Sequence, residues 1–197
     1  MDASKTISRR KALAGALGLP AMAGLEPAAA TTVSRIVGSG TLVVYYSRTG
    51  NTRVIAEQIR RAHGADIFAI EAAVPYPEDY QETVKQAESE RRSGYAPPLA
   101  ATVPDIARYA TVFLGFPIWG MTAPAPIRSF LSRHALAGMT LIPFITHGGY
   151  GAGSSREVLA RHAPGADIRK AFLLRQDQER ETLAQVTNWL GGVRLKR

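Results

Sequence analysis

The chain of 197 residues contains no cysteine. Disulfides, thiolate nucleophiles and Cys-ligated zinc or iron–sulfur centres are therefore excluded, and with them a low-molecular-weight phosphatase chemistry. Histidine is scarce: His63, His134, His147 and His162 are scattered without a close pair at ligand spacing, so no metal site is expected. No apolar run reaches the roughly 20 residues of a membrane span, and no stable span is expected. A Gly-x-Ser-x-Gly nucleophile turn is also missing, since neither Ser154 nor Ser155 stands in that frame. Basic residues outnumber acidic ones, 24 to 16, for a net charge of +8. They are dispersed and not interleaved with aromatic residues, so the charge reads as a solvated surface and no nucleic-acid partner is expected. Any redox chemistry has to come from a bound organic cofactor.

What is present begins with a processing signal. Ser8-Arg9-Arg10-Lys11 precedes the apolar, small-residue run Ala12 to Gly24 and then Pro27-Ala28-Ala29-Ala30. A charged region, a short apolar region and an Ala-x-Ala site are the layout of an export signal over residues 1–30, cleaved near Ala30. The arginine pair resembles a twin-arginine signal, although Ala12 stands where that motif usually has Phe. An ordinary secretory signal is the alternative. Export out of a bacterial cytoplasm, to the periplasm, is the expectation. The first 30 residues hold four basic and two acidic side chains, so +6 of the charge remains beyond them.

After a linker over 31–40, apolar runs and amphipathic runs alternate to the end. The strand-like runs are Leu42–Tyr46, Ile67–Glu71, Thr111–Phe116, Thr140–Thr146 and Ile168–Leu174. Ile55, Ile59 and Ala62 share one helical face, as do Ile127, Phe130, Leu131 and His134, and later Leu183, Val186 and Leu190. Five such units predict a parallel sheet covered on both faces. Pro143 is a conflict inside its run, because proline removes a ladder donor; a bulge or a late strand start is expected there. Between the second and third strands, residues 74–109 exceed a minimal crossover. They carry Pro75-Tyr76-Pro77, a helical spacing of Tyr80, Val84 and Ala87, and Tyr95-Ala96-Pro97-Pro98, and should reach over one end of the sheet.

The most informative stretch is Tyr46-Ser47-Arg48-Thr49-Gly50-Asn51-Thr52, where a β-branched strand stops and a helix starts. Hydroxyls, backbone N–H groups and a positive helix end converge there on an anion. The P-loop lysine and its second glycine are missing. A phosphate would be held by the neutral hydroxyls of Ser47, Thr49 and Thr52 beside the amides of Gly50 and Asn51. A capped turn without ligand is the alternative. This stretch resembles the FMN-phosphate loop of flavodoxins and flavodoxin-like proteins, with Arg48 at that motif's variable position. The Pro-Tyr-Pro-x-x-Tyr element resembles a subgroup of the same family.

The resemblance implies an α/β fold for residues 41–193, a flavodoxin-like three-layer sandwich with a five-stranded parallel sheet in the order 2-1-3-4-5. It implies noncovalent FMN at the switch point beyond the strand C-termini. Two further loops should meet there. In Gly115-Phe116-Pro117-Ile118-Trp119-Gly120-Met121-Thr122, Trp119 offers a stacking face, and Gly120 lets the main chain approach a flat tricycle closely; Trp119 as loop packing is the alternative. Thr146-His147-Gly148-Gly149-Tyr150-Gly151-Ala152-Gly153-Ser154 is too glycine-rich for a simple turn, and resembles the family's ring-binding loop. The expected FMN contacts are Ser47, Arg48, Thr49, Gly50, Asn51, Thr52, Pro117, Ile118, Trp119, Gly120, Thr146, His147, Gly148, Gly149, Tyr150 and Gly151. His147 is the candidate catalytic residue, to bond the flavin or protonate a substrate; a structural histidine is the alternative.

The function implied is an FMN-binding redox protein, in electron transfer or as a small flavin reductase, with a redox partner protein or a small electron acceptor. An NAD(P)H-dependent quinone reductase, its site shaped by Tyr76, Tyr80, Trp119 and His147, is one alternative. A noncatalytic, partner-binding domain of the same fold without flavin is another. A phosphate-accepting receiver domain would need acids at the first and third strand ends, which read Tyr46-Ser47 and Phe116-Pro117. No residue of the three loops is a carboxylate, which predicts a less negative potential for the second electron than in acidic flavodoxins.

Overall fold

The computed structural model describes residues 40–175 and 179–195. The expected export signal and all but the last residue of the linker lie outside the described residues. The elements are β1 (Thr41–Tyr45), α1 (Asn51–His63), β2 (Asp66–Ala69), α2 (Tyr80–Ser93), β3 (Thr111–Pro117), α3 (Ala125–Arg133), β4 (Thr140–His147), α4 (Ser155–His162), β5 (Asp167–Ile168), β6 (Phe172–Arg175) and α5 (Glu179–Gly192). All strand pairs are parallel, and the order is β2-β1-β3-β4-β5, with β6 also on β4. This is the expected doubly wound order.

Alternation along each central strand separates two cores. Leu42, Val44, Val112, Leu114, Phe116, Leu141 and Ile145 point to the side covered by Ile127, Phe130 and Leu131 of α3 and Leu159 of α4. Val43, Phe113, Ile142 and Phe144 point to the side covered by Ile55, Ala56 and Ile59 of α1 and Val186 and Leu190 of α5. The expected face of α3 holds throughout, with Ile127, Phe130, Leu131 and His134 all buried, whereas the faces of α1 and α5 each fail at one end. Ala62 and Leu183 are exposed, while Ala56 is fully buried.

Pro143 produces neither a bulge nor a late start. β4 runs unbroken beside β3, with Pro143 opposite Leu114. Arg169 N–H donates to the Leu141 carbonyl, whereas Thr140 N–H donates to Ala110 and Ile118 N–H to Thr146. In a parallel strand alternate residues face alternate neighbours, so Pro143, two beyond Leu141, faces the last strand. That strand is the one that breaks: β5 pairs with Thr140 and Leu141, β6 with Phe144 to His147, and Arg169 to Ala171 pass the proline unpaired with it. The expected run Ile168–Leu174 is thus two short strands. Gly115 has a packing reason of its own. It lies opposite Phe144, and a Cβ there would overlap the edge of that ring, 2.8 Å from Cε1.

Candidate functional site

The phosphate-type loop has the local structure its residues demand. Gly50 takes φ 94° as the N-cap of α1, a backbone state that penalises any side chain. Ser47 Oγ accepts the Gly50 N–H at 3.1 Å, closing the turn. The first N–H groups of α1 have no intrahelical acceptor, and no acid stands in the first turn. Thr52 is buried, and its hydroxyl bonds the Thr146 hydroxyl at 3.0 Å, tying the start of α1 to the end of β4. Arg48 donates to the Glu78 carbonyl and lies over the Tyr80 ring at 5.9 Å. Its charge clamps the loop to the start of α2.

The second loop is a two-residue turn. Trp119 N–H donates to Thr122 O (3.0 Å) and Thr122 N–H to Trp119 O (3.2 Å), with Gly120 at φ 54° and Met121 at φ 67°. Two positive φ angles in succession fit a type I′ turn, and Met121 occupies a position that favours glycine. Trp119 is held edge-to-face by Tyr46 (5.3 Å) and Tyr76 (5.1 Å). Tyr76 is fixed in turn by a 2.6 Å bond from its hydroxyl to the buried Glu90 carboxylate. Burial, followed by that carboxylate, drives the Tyr76 pKa far upward, so it stays a neutral donor. Burial likewise raises Tyr46.

In the third loop the Gly149 and Gly151 N–H groups donate to His147 Nδ1 at 3.1 and 3.3 Å. Two donors on Nδ1 assign the proton of a neutral ring to Nε2. His147 therefore presents an N–H donor, not a base. Gly153, at φ 52°, makes close contact with the second loop. Ser154 N–H donates to Met121 O at 2.9 Å, and a Cβ on Gly153 would overlap that same carbonyl.

The three loops border one cavity of about 510 Å³ beyond the C-terminal ends of the strands, within the size range of ligand pockets. Of the expected contacts, Ser47, Arg48, Thr49, Thr52, Pro117, Ile118, Trp119, Gly120, His147, Gly148 and Tyr150 line it. Gly50, Asn51, Thr146, Gly149 and Gly151 do not. Thr146 is buried behind Thr52, Gly149 and Gly151 hold His147, and Gly50 borders a separate cavity of about 300 Å³ shared with Ser47, Arg48 and Thr49. Asn51 is exposed as the first residue of α1.

The opposite wall is α2, the helix expected over one end of the sheet, of whose residues only Tyr80 was expected near the site. Tyr80, Thr83, Val84, Ala87, Glu88 and Arg91 form one continuous helical face toward the cavity. Glu88 supplies a carboxylate that the loops lack, and Arg92 pairs with it at 3.4 Å. Two of the other histidines serve the fold. His134 Nε2 accepts from Val103 N–H (3.0 Å), and His63 stacks on Phe113. Among the described residues no group of three or more His, Cys, Asp or Glu side chains converges as a metal would require, and no helix is long and apolar enough to cross a membrane.

The residues fit a flavin phosphate and ring. The neutral hydroxyls and free helix amides suit a phosphate. Trp119, Val84, Tyr80 and Met121 give an apolar enclosure, and His147 Nε2–H provides a polar donor.

Fold and cavity together define a doubly wound α/β protein with its ligand site at the topological switch point. A family model described as flavodoxin matches residues 40–192, and the chain belongs to that family. A Bacteroides eggerthii DSM 20697 protein assigned as a flavoprotein is 32% identical, with a TM-score of 0.67 over 79% of this chain and 98% of its own. A Bacteroides uniformis ATCC 8492 counterpart is also 32% identical, with a TM-score of 0.67 over 77% and 99%. A Lactobacillus acidophilus NCFM flavoprotein in complex with FMN shares the fold at 20% identity and a TM-score of 0.59, over 73% and 97%. No curated protein matches the chain in sequence.

Proposed function

We propose that this chain is an exported FMN-binding redox protein, an electron carrier or small flavin reductase. The observation that carries the reading is the convergence of three loops and α2 on one cavity beyond the strand ends. Bound FMN supplies one- or two-electron transfer. Ser47 and Thr49, with the first amides of α1, would hold the phosphate. Trp119, locked by Tyr46 and Tyr76, keeps an apolar surface in place without rearrangement. His147 keeps a proton on Nε2 at the cavity wall. The face of α2 from Tyr80 to Arg91 shields the site from water, fastened at its start by Arg48.

The visible spectrum of the purified chain, with the chromophore released by heat and identified, tests the cofactor. Oxidised-flavin bands and about one FMN per chain are expected; a colourless chain that FMN cannot reconstitute would sink the reading. Steady-state turnover with NAD(P)H and a quinone separates a reductase from a carrier. Export rests on the segment from Ser8 to Ala30. Cell fractionation of the full chain against an Arg9→Lys, Arg10→Lys variant tests the twin-arginine route, with equal export of both as the contrary result.

A further inference from the structure

A second cavity, of about 530 Å³, adjoins the first and shares Arg91, Gly120 and Met121 with it. Its wall gathers Arg91 from α2, Thr122 from the tight turn, Arg128 from α3, and Arg161 and His162 from α4. Among the described residues the ion pairs lie elsewhere, and none of these three arginines has a carboxylate within 4.0 Å. The buried carboxylate of Glu90 is already taken by Tyr76 (2.6 Å) and Gln86 (2.9 Å).

Two buried donors in this wall are left over. Arg128 is 8% exposed; its Nη2 donates to the carbonyls of Glu90 (3.1 Å) and Tyr95 (2.6 Å), while its Nε has no partner. Thr122 is 7% exposed, and its Oγ1 has no partner either. Tying α2 to α3 explains Nη2 of Arg128 but not the orphaned Nε, nor the two further guanidiniums beside it. A buried cation with unmet hydrogen-bonding capacity is costly, and an anion in the adjoining cavity would offset its charge. The positive field is felt by His162, whose pKa is lowered by burial and then by Arg128 and Arg161. Planar guanidiniums, a hydroxyl and no acid are the donor set for a phosphate, sulfonate or carboxylate group.

We propose that this second cavity is an oxyanion subsite, holding the acid group of a small reactant whose other end reaches the first cavity. The reactant's role rests on the FMN reading of that cavity; the anion site itself does not. Charge-assisted bonds of this kind are each worth about tenfold or more in affinity.

Inorganic phosphate titrated into the FMN-loaded full chain, followed by amide NMR, tests the site. Saturable movement of the Gly94 and Thr122 signals is expected, weakened about tenfold in Arg161→Met, a substitution at an exposed side chain. Absence of saturable movement, movement confined to residues 47–52, or an Arg161→Met chain that titrates like its parent would overturn the proposal.

A second arm distinguishes a reactant's acid group from a free anion. The chemically reduced FMN-loaded chain is mixed anaerobically with naphthoquinone sulfonate or with naphthoquinone. Two electrons and two protons leave the reduced flavin and arrive on the quinone, which becomes the hydroquinone. The rate ratio of sulfonate to neutral quinone should fall about tenfold in Arg161→Met. An unchanged ratio means the cavity takes free anions only, and overturns the reactant assignment. Failure of the flavin reading would show separately, as a chain left colourless by added FMN; the phosphate titration of that chain still decides the anion site.

Discussion

Gly153→Ala is the substitution that most sharply probes how the site is assembled. Gly153 sits at φ 52°, where a side chain costs about 1–2 kcal/mol. Its new Cβ would overlap the Met121 carbonyl oxygen and lie 2.6 Å from the carbonyl carbon. Both are backbone atoms, so no side-chain rotation relieves the overlap, and one loop has to move. Movement breaks the 2.9 Å bond from Ser154 N–H to Met121 O, worth about 1 kcal/mol, and residual overpacking adds about 1–3 kcal/mol. The total is about 3–6 kcal/mol, or a melting temperature lower by about 6–24 °C for a chain of this size. Because Met121 and Tyr150 line the cavity from the two loops in contact, displacing either should lower FMN affinity at least about tenfold. Thermal unfolding without flavin and fluorescence titration with FMN measure the two effects. A melting point within about 2 °C of the parent, with unchanged affinity, would refute the argument that this contact holds the loops together.

Arg48→Ala removes the bond to the Glu78 carbonyl and the contact with Tyr80, loosening α2 over the cavity. FMN should bind about three- to tenfold more weakly in a fluorescence titration, with little change in melting temperature. His63 titrates against stability. Burial lowers its pKa from 6.5, and its Nε2 is buried without a partner. As pH falls below about 6.5 the unfolded chain gains that proton first, so the His63 contribution is intact above this pH and is lost toward the folded-state value. Urea unfolding between neutral and mildly acid pH should show this decline, and His63→Phe should flatten it; equal slopes would count against it. Around the cavity Arg48 and Arg91 outnumber the single, Arg92-paired Glu88. Arg91→Gln should therefore make the potential for the second electron more negative in a redox titration, and a shift of the opposite sign would contradict that electrostatic account.

The three loops were legible because their signals are local, and the order of the sheet came with the family resemblance that the first loop carries. A β-branched strand ending in Ser-Arg-Thr-Gly-Asn-Thr, and glycines clustered after the fourth strand, mark chain reversals that need no long-range information. The face of α2 was visible as a helical stripe, Tyr80, Val84 and Ala87, but such a stripe ordinarily marks a core-facing helix. Only the fold shows that it faces a cavity, which is why Tyr80 is 64% and Val84 41% exposed. Pro143 was recognisable as a conflict, yet its resolution depends on which neighbour its missing N–H would face. That is a matter of sheet register, set by residues far along the chain. Gly115 and Gly153 stood within recognised loops, and their reasons are contacts with Phe144 and Met121, which sequence spacing does not encode. The same holds for the arginines of the second cavity. Arg91, Arg128 and Arg161 are separated by more than thirty positions each and read singly as surface charges.

The central claim is that neutral hydroxyls and helix amides at residues 47–52 select a phosphate-bearing flavin. Parallel titrations of the flavin-free full chain with FMN and with riboflavin test it most directly, since the two ligands differ by the phosphate alone. Several charge-assisted bonds to that group predict FMN binding tighter by at least about a hundredfold. Equal affinities, or no binding of either flavin, would contradict the account.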